Sequence, residues 1–176
     1  VLSRKEQDYA HPAFNDLFLM FDFDHETNSI VVKRKKRDEH EEEMYMCVNL
    51  STHDEIIGDL EYEIDEEKFI GRGNIGIPQM VKNSNPFSKK IGLVTEPVVA
   101  LKRTMKVKPN QKATINLIIS VGEDKEKVIE NIKKYHKGYG TIDEATTRDQ
   151  ILYGDANQEC TGVVTTCWAR VDVIRF

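Results

Sequence analysis

Apolar residues along this chain recur mostly at strand-like intervals, and one stretch alone has a helical period. From Leu17 to Phe23 the run Leu-Phe-Leu-Met-Phe-Asp-Phe is too short and too aromatic for a helix and predicts a mostly buried strand. Residues 24–28, Asp-His-Glu-Thr-Asn, supply turn chemistry, and residues 29–36 continue as a β-branched strand around Ile30, Val31 and Val32, so a hairpin is expected. Residues 44–50 predict another strand, after which Ser51, Thr52, His53 and Asp54 open a loop. Leu60-Glu61-Tyr62-Glu63-Ile64 alternates apolar and polar as a half-buried strand does, and Asp65 is placed to cap a short helical turn over residues 66–69. Residues 71–97 concentrate Gly71, Gly73, Gly76, Pro78, Pro86, Gly92 and Pro97, and predict a long ordered loop. Strand character resumes over 98–107, a turn falls at Pro109-Asn110, and an apolar strand follows over 113–121.

Beyond Gly122 the period changes. Val128, Ile129, Ile132 and Tyr135 form an i, i+1, i+4, i+7 stripe, with acids in the first turn, Lys133 and Lys134 in the last, and Gly138 as a stop. At the N-terminal end, His11-Pro12-Ala13-Phe14-Asn15-Asp16 suits a short helical turn with Pro12 near its start. After the helix, a second short helix near residues 144–153 and a strand over 163–176 are expected. Strands joined by hairpin-type connections, then one terminal helix and no βαβ alternation, imply a mainly β, antiparallel sandwich with a C-terminal helix.

At 176 residues the chain fits one domain, or one with a short appendage. Charged residues make up 31% and the mean hydropathy is −0.51, a polar but foldable composition. No apolar run approaches the roughly 20 residues that span a bilayer, and no secretory signal is recognisable. The first residue is not Met, which reads as a piece cut from something larger. A net charge of −5 argues against general nucleic-acid binding. The basic run Lys33 to Arg37 meets the acidic run Asp38 to Glu43, so the two are expected to cancel on a solvated strand end and loop. Cys47, Cys160 and Cys167 match neither a zinc ribbon nor a redox pair, which points to a reducing compartment, with Cys47 packing as a small hydrophobe. Asn49-Leu-Ser51 satisfies the glycosylation sequon by chance.

Candidate chemistry is sparse. Gly71-Arg72-Gly73-Asn74-Ile75-Gly76 fits the G-x-G-x-x-G string, but a dinucleotide site needs an apolar strand before the glycines and a helix after them. Here Glu63 to Lys68 precedes and Pro78 follows, so the glycines are read as letting the loop fold tightly on a sheet. His11, His25, His40, His53 and His136 occur singly, with no i, i+4 pair and no partnered cysteine, so no metal site is expected. Sugar binding needs aromatic platforms with groups that hydrogen-bond hydroxyls. Most Phe are core anchors, Trp168 is the lone tryptophan, and Arg72 and Asn74 in the glycine loop are the best-placed candidates for carbohydrate contact. No catalytic residue and no cofactor are nominated.

Four blocks, residues 10–18 (Ala-His-Pro-Ala-Phe-Asn-Asp-Leu-Phe), 68–74 (Lys-Phe-Ile-Gly-Arg-Gly-Asn), 92–103 (Gly-Leu-Val-Thr-Glu-Pro-Val-Val-Ala-Leu-Lys-Arg) and the helix 126–136, occur in an order that resembles the β-sandwich domain of glycosyltransferase-36-like proteins of glycoside hydrolase family 94. That group contains cellobiose and chitobiose phosphorylases and cyclic β-1,2-glucan synthases, and the likeness covers residues 1–136. The resemblance implies a super-sandwich related in shape to galactose mutarotase, joined by a helical linker to a separate catalytic (α/α)6 barrel. It implies a non-catalytic domain whose partners are that barrel and a β-glucan or β-linked disaccharide, with a homodimer as a candidate assembly. Nucleic acid and membrane are not expected partners of this segment. The expected compartment is the cytoplasm, the parent being a candidate for membrane association. Residues 137–176 are expected to be linker or tail, and there the chain departs from the family, because Cys160 to Phe176 reads as a strand where barrel helices are implied. An independent glycan-binding module, a mutarotase-like enzyme and a plain oligomerisation domain are the alternatives.

Overall fold

The computed structural model describes residues 17–71, 77–110 and 113–136, and the backbone of 164–171. In chain order the elements are β1 (Leu19–Asp24), β2 (Ser29–Arg34), β3 (Met44–Thr52), β4 (Ile56–Asp65), α1 (Glu66–Ile70), α2 (Gln79–Lys82), β5 (Pro97–Lys106), β6 (Ile115–Gly122), α3 (Lys125–His136) and β7 (Val164–Val171). Two antiparallel sheets form, with strand orders β1-β2-β3-β6 and β4-β5-β7. The mainly β sandwich with a C-terminal helix is therefore observed.

Period-two alternation builds the core. Leu19, Phe21, Ile30, Val32, Met46, Val48 and Leu50 point from the first sheet toward Leu60, Tyr62, Ile64, Val99 and Leu101 of the second, and all are buried. Each such side chain contributes about 1.5–3 kcal/mol of burial free energy, which offsets the ordering entropy of the strands. On the outer face of the first sheet α3 lays Val128 and Ile132 over Val31 and Cys47. Its start is fixed by Asp124, whose Oδ1 accepts from the backbone N–H groups of Glu126 (2.9 Å) and Lys127 (3.3 Å). The opposed charge blocks pair across the β2–β3 connection: Lys33 meets Glu43 at 2.8 Å, and the Arg37 backbone N–H donates to Glu41 Oε2 at 2.9 Å.

Three features differ from the expectation. β4 begins at Ile56 instead of Leu60, because the segment read as loop pairs with β5 through an irregular register between Ile57 and Glu61. The punctuated stretch after Gly71 contains α2. The Pro109-Asn110 turn passes the chain from one sheet to the other and closes no hairpin, since β6 pairs with β3. The strand expected over 163–176 is found as β7, antiparallel to β5. The helical turn at 11–16 and the helix near 144–153 lie outside the described residues. Among the described residues no helix is long and apolar enough to cross a membrane.

Candidate functional site

The outer face of the β4–β5 sheet carries a platform that frames the glycine loop. Asp65 caps α1, accepting from the Lys68 backbone N–H at 3.3 Å, and so turns the chain out of β4. α1 then drives Phe69 and Ile70 onto Val98 and Ala100, where Phe87 meets Phe69 edge to face at 5.6 Å between ring centroids. Gly71 ends the helix at φ 69° and ψ −167°, its N–H donating to Glu67 O at 2.8 Å. A Cβ at Gly71 would stand 2.4 Å from Gln79 Oε1, so the two ends of the loop are held in close approach. The glycine is needed here for a backbone conformation that L side chains rarely adopt.

Two carboxylates and one ammonium pin the second half of the platform. Glu63 is 1% exposed, with Oε1 accepting from the backbone N–H of Ile64 (3.1 Å) and Asp65 (3.3 Å), and Oε2 from that of Ser88 (3.2 Å). Glu61 Oε2 accepts from the Phe87 N–H at 2.9 Å and pairs with Lys102 Nζ at 3.0 Å. Lys102 in turn lies over the Phe87 ring, 5.1 Å from its centroid, and donates to Asn85 O at 3.3 Å. These three side chains are anchors that sequence reading missed. Glu61 and Glu63 occupy the polar positions of an alternating strand, and alternation carries no sign that a loop covers that face.

Arg72 and Asn74, the expected carbohydrate contacts, lie outside the described residues; their loop leaves from Gly71 and returns at Ile77, which is 60% exposed. After α2, the exposed surface of 82–90 presents amides, hydroxyls and ammonium groups from Asn83, Asn85, Ser84, Ser88 and Lys89, a set able to hydrogen-bond sugar hydroxyls. Phe69 and Phe87 are buried, so their faces are closed to a sugar ring.

Several other candidates fall within the described residues. The glycine string is preceded by helix α1, not by the strand that a dinucleotide loop requires. Among the described residues no group of three metal-ligating side chains converges. His25 packs edge to face on Phe23, and His136 Nδ1 lies 3.4 Å from Asn49 Oδ1. Cys47 is fully buried, and burial pushes its thiol up to about 11. Asn49 is equally buried, its amide donating to Thr27 O (2.8 Å) and Ser29 Oγ (3.0 Å), which removes the sequon from the surface. Trp168 belongs to β7, of which the backbone alone is described.

Residues 1–138 match the family model described as glycosyl hydrolase 94, supersandwich domain. No curated protein matches the chain.

Proposed function

The chain belongs to the glycosyl hydrolase 94 family through its supersandwich domain, and from that premise we propose that it is the non-catalytic β-sandwich of a carbohydrate-active glycosyltransferase or phosphorylase, of the cyclic β-1,2-glucan synthase or cellobiose phosphorylase kind. Its task is to pack beside a catalytic (α/α)6 barrel in the parent protein and shape the sugar-binding cleft there. The sandwich unit spans 1–136, and 137–176 is linker and tail, with β7 pairing back onto β5.

The observation that carries this reading is the construction of the platform. Buried rings fix the backbone at 69–71, before the segment that carries Arg72 and Asn74, and carboxylates fix it at 87–88 beyond α2, which supports a role in presenting that surface to a neighbour. An independent glycan module instead needs an open aromatic face. Calorimetric titration of the 176-residue protein with cellobiose, sophorose and longer β-1,2-glucans, with aldose mutarotation followed in parallel, tests it. The expected result is no saturable heat and no mutarotation. Saturable binding, in the range of roughly −8 to −4 kcal/mol for micromolar to millimolar affinity, would overturn it in favour of an independent module, with Arg72 and Asn74 as the residues to mutate. Mutarotation would overturn it in favour of an enzyme.

A further inference from the structure

β5 carries one side chain that the sandwich does not explain. Arg103 shares the inward parity of Val99 and Leu101, is 7% exposed, and has a buried Nε with no hydrogen-bond acceptor among the described residues. Buried guanidinium groups ordinarily hold a carboxylate or a row of carbonyls, because an unpaired buried charge is strongly disfavoured. The charge nearest to it in effect is Asp59, whose side chain is 89% exposed and is taken by Lys89 at 3.4 Å. Burial accordingly lowers the Arg103 pKa below the usual guanidinium range.

The strand beside it is irregular at the same point. Lys102 pairs with Glu61 and Thr104 with Ile57, so residues 58–60 of β4 stand against Arg103 alone. Gly58 in this bulge has φ 73°, and the position of its absent Cβ has no heavy atom within 4 Å. Bulges re-aim side chains and recur beside functional sites. A buried guanidinium with no partner among the described residues, set opposite a bulge, is a half-built ion pair.

We propose that Arg103 is the receptor of an oxyanion-binding site at the β4 bulge, taking a carboxylate or phosphate group on its guanidinium fork. Its acceptor then comes from outside the described residues: either free inorganic phosphate or a carboxylate side chain. Arginine suits both, since its planar fork matches two oxygens of either group. The inference stands on local geometry and is independent of the carbohydrate reading.

The test measures Tm of the full 176-residue chain in chloride buffer, then with inorganic phosphate and, separately, acetate, at constant ionic strength. Wild type is expected to rise saturably, by roughly 5–10 °C at 100 times the Kd. Arg103→Met, which keeps the volume and removes the charge, is expected to melt a few degrees higher than wild type in chloride and to ignore both anions. Arg103→Lys keeps the charge without the fork and is expected to need at least tenfold more anion, which preserves the test if Arg103→Met fails to fold. Response to phosphate alone assigns free phosphate; response to both anions assigns a carboxylate. Absence of a saturable response in wild type overturns the proposal, as does a folded Arg103→Met protein that responds to anions as wild type does, or an Arg103→Lys protein that responds at wild-type anion concentrations.

Discussion

Replacing Gly71 by alanine is expected to damage the platform through two separable effects. At φ 69° and ψ −167° the backbone lies where residues with a Cβ are strained by about 1–3 kcal/mol. The new methyl would also meet Gln79, at 2.4 Å from Oε1, 2.8 Å from Cδ and 3.0 Å from Cβ. The far end of that side chain can swing away, whereas its Cβ moves only with α2, so overpacking adds about 1–3 kcal/mol. Gly71→Ala should therefore lose about 2–6 kcal/mol in urea unfolding at unchanged m value. In a Gln79→Ala background the two closest contacts vanish and the 3.0 Å contact stays, so the same substitution should cost about 1 kcal/mol less or better. Both residues touch, which is the condition for such coupling. A Gly71→Ala loss below about 1 kcal/mol, or an identical loss in both backgrounds, would refute the close approach of the loop ends.

Other outcomes follow from the same contacts. Lys102→Met should cost about 1–3 kcal/mol by leaving Glu61 half-buried without its cation, whereas Glu61→Gln, which retains an acceptor for the Phe87 N–H, should cost less; chemical denaturation checks the order. Asn49→Ala should cost about 1–3 kcal/mol by stripping the donor from Thr27 O under α3, as read by thermal melting. Cys47, with its thiol pushed up to about 11, should resist a thiol reagent at pH 8 until the protein unfolds. Its raised pKa also sets a sign: stability from the protonated thiol is complete below the unfolded value of 9.0 and is lost as pH rises toward 11. Wild type should thus lose up to about 3 kcal/mol relative to Cys47→Val across that window, and parallel curves would refute it.

Much of this architecture was legible because its elements obey one period each. The stripe of Val128 and Ile132 placed α3, the apolar runs placed β1, β2 and β3, and Asp65 announced the turn into α1. Legibility failed where a second layer altered what a position means. Glu63 sits at a solvent-type position and is buried, because the 83–91 segment brings the Ser88 N–H to its carboxylate. The start of β4 was hidden by the bulge at Gly58, which breaks the alternation that would have marked it. Sheet order was equally opaque: the Pro109-Asn110 turn looks like a hairpin turn, and pairing of β6 with β3 is a long-range choice made by matching apolar faces. Arg72 and Asn74, the contacts expected from the sequence, lie outside the described residues, and the anchors Glu61, Glu63 and Lys102 emerged only with the fold.

The most direct test of the central claim is the rate of phosphate-dependent cleavage of cellobiose and sophorose by a glycosyl hydrolase 94 (α/α)6 barrel, produced with and without this chain fused ahead of it. If the domain shapes the cleft, the fused protein should turn over at least tenfold faster or bind sugar at least tenfold tighter, a difference of about 1.4 kcal/mol. A barrel that binds and cleaves equally well alone would contradict a supporting role for the sandwich.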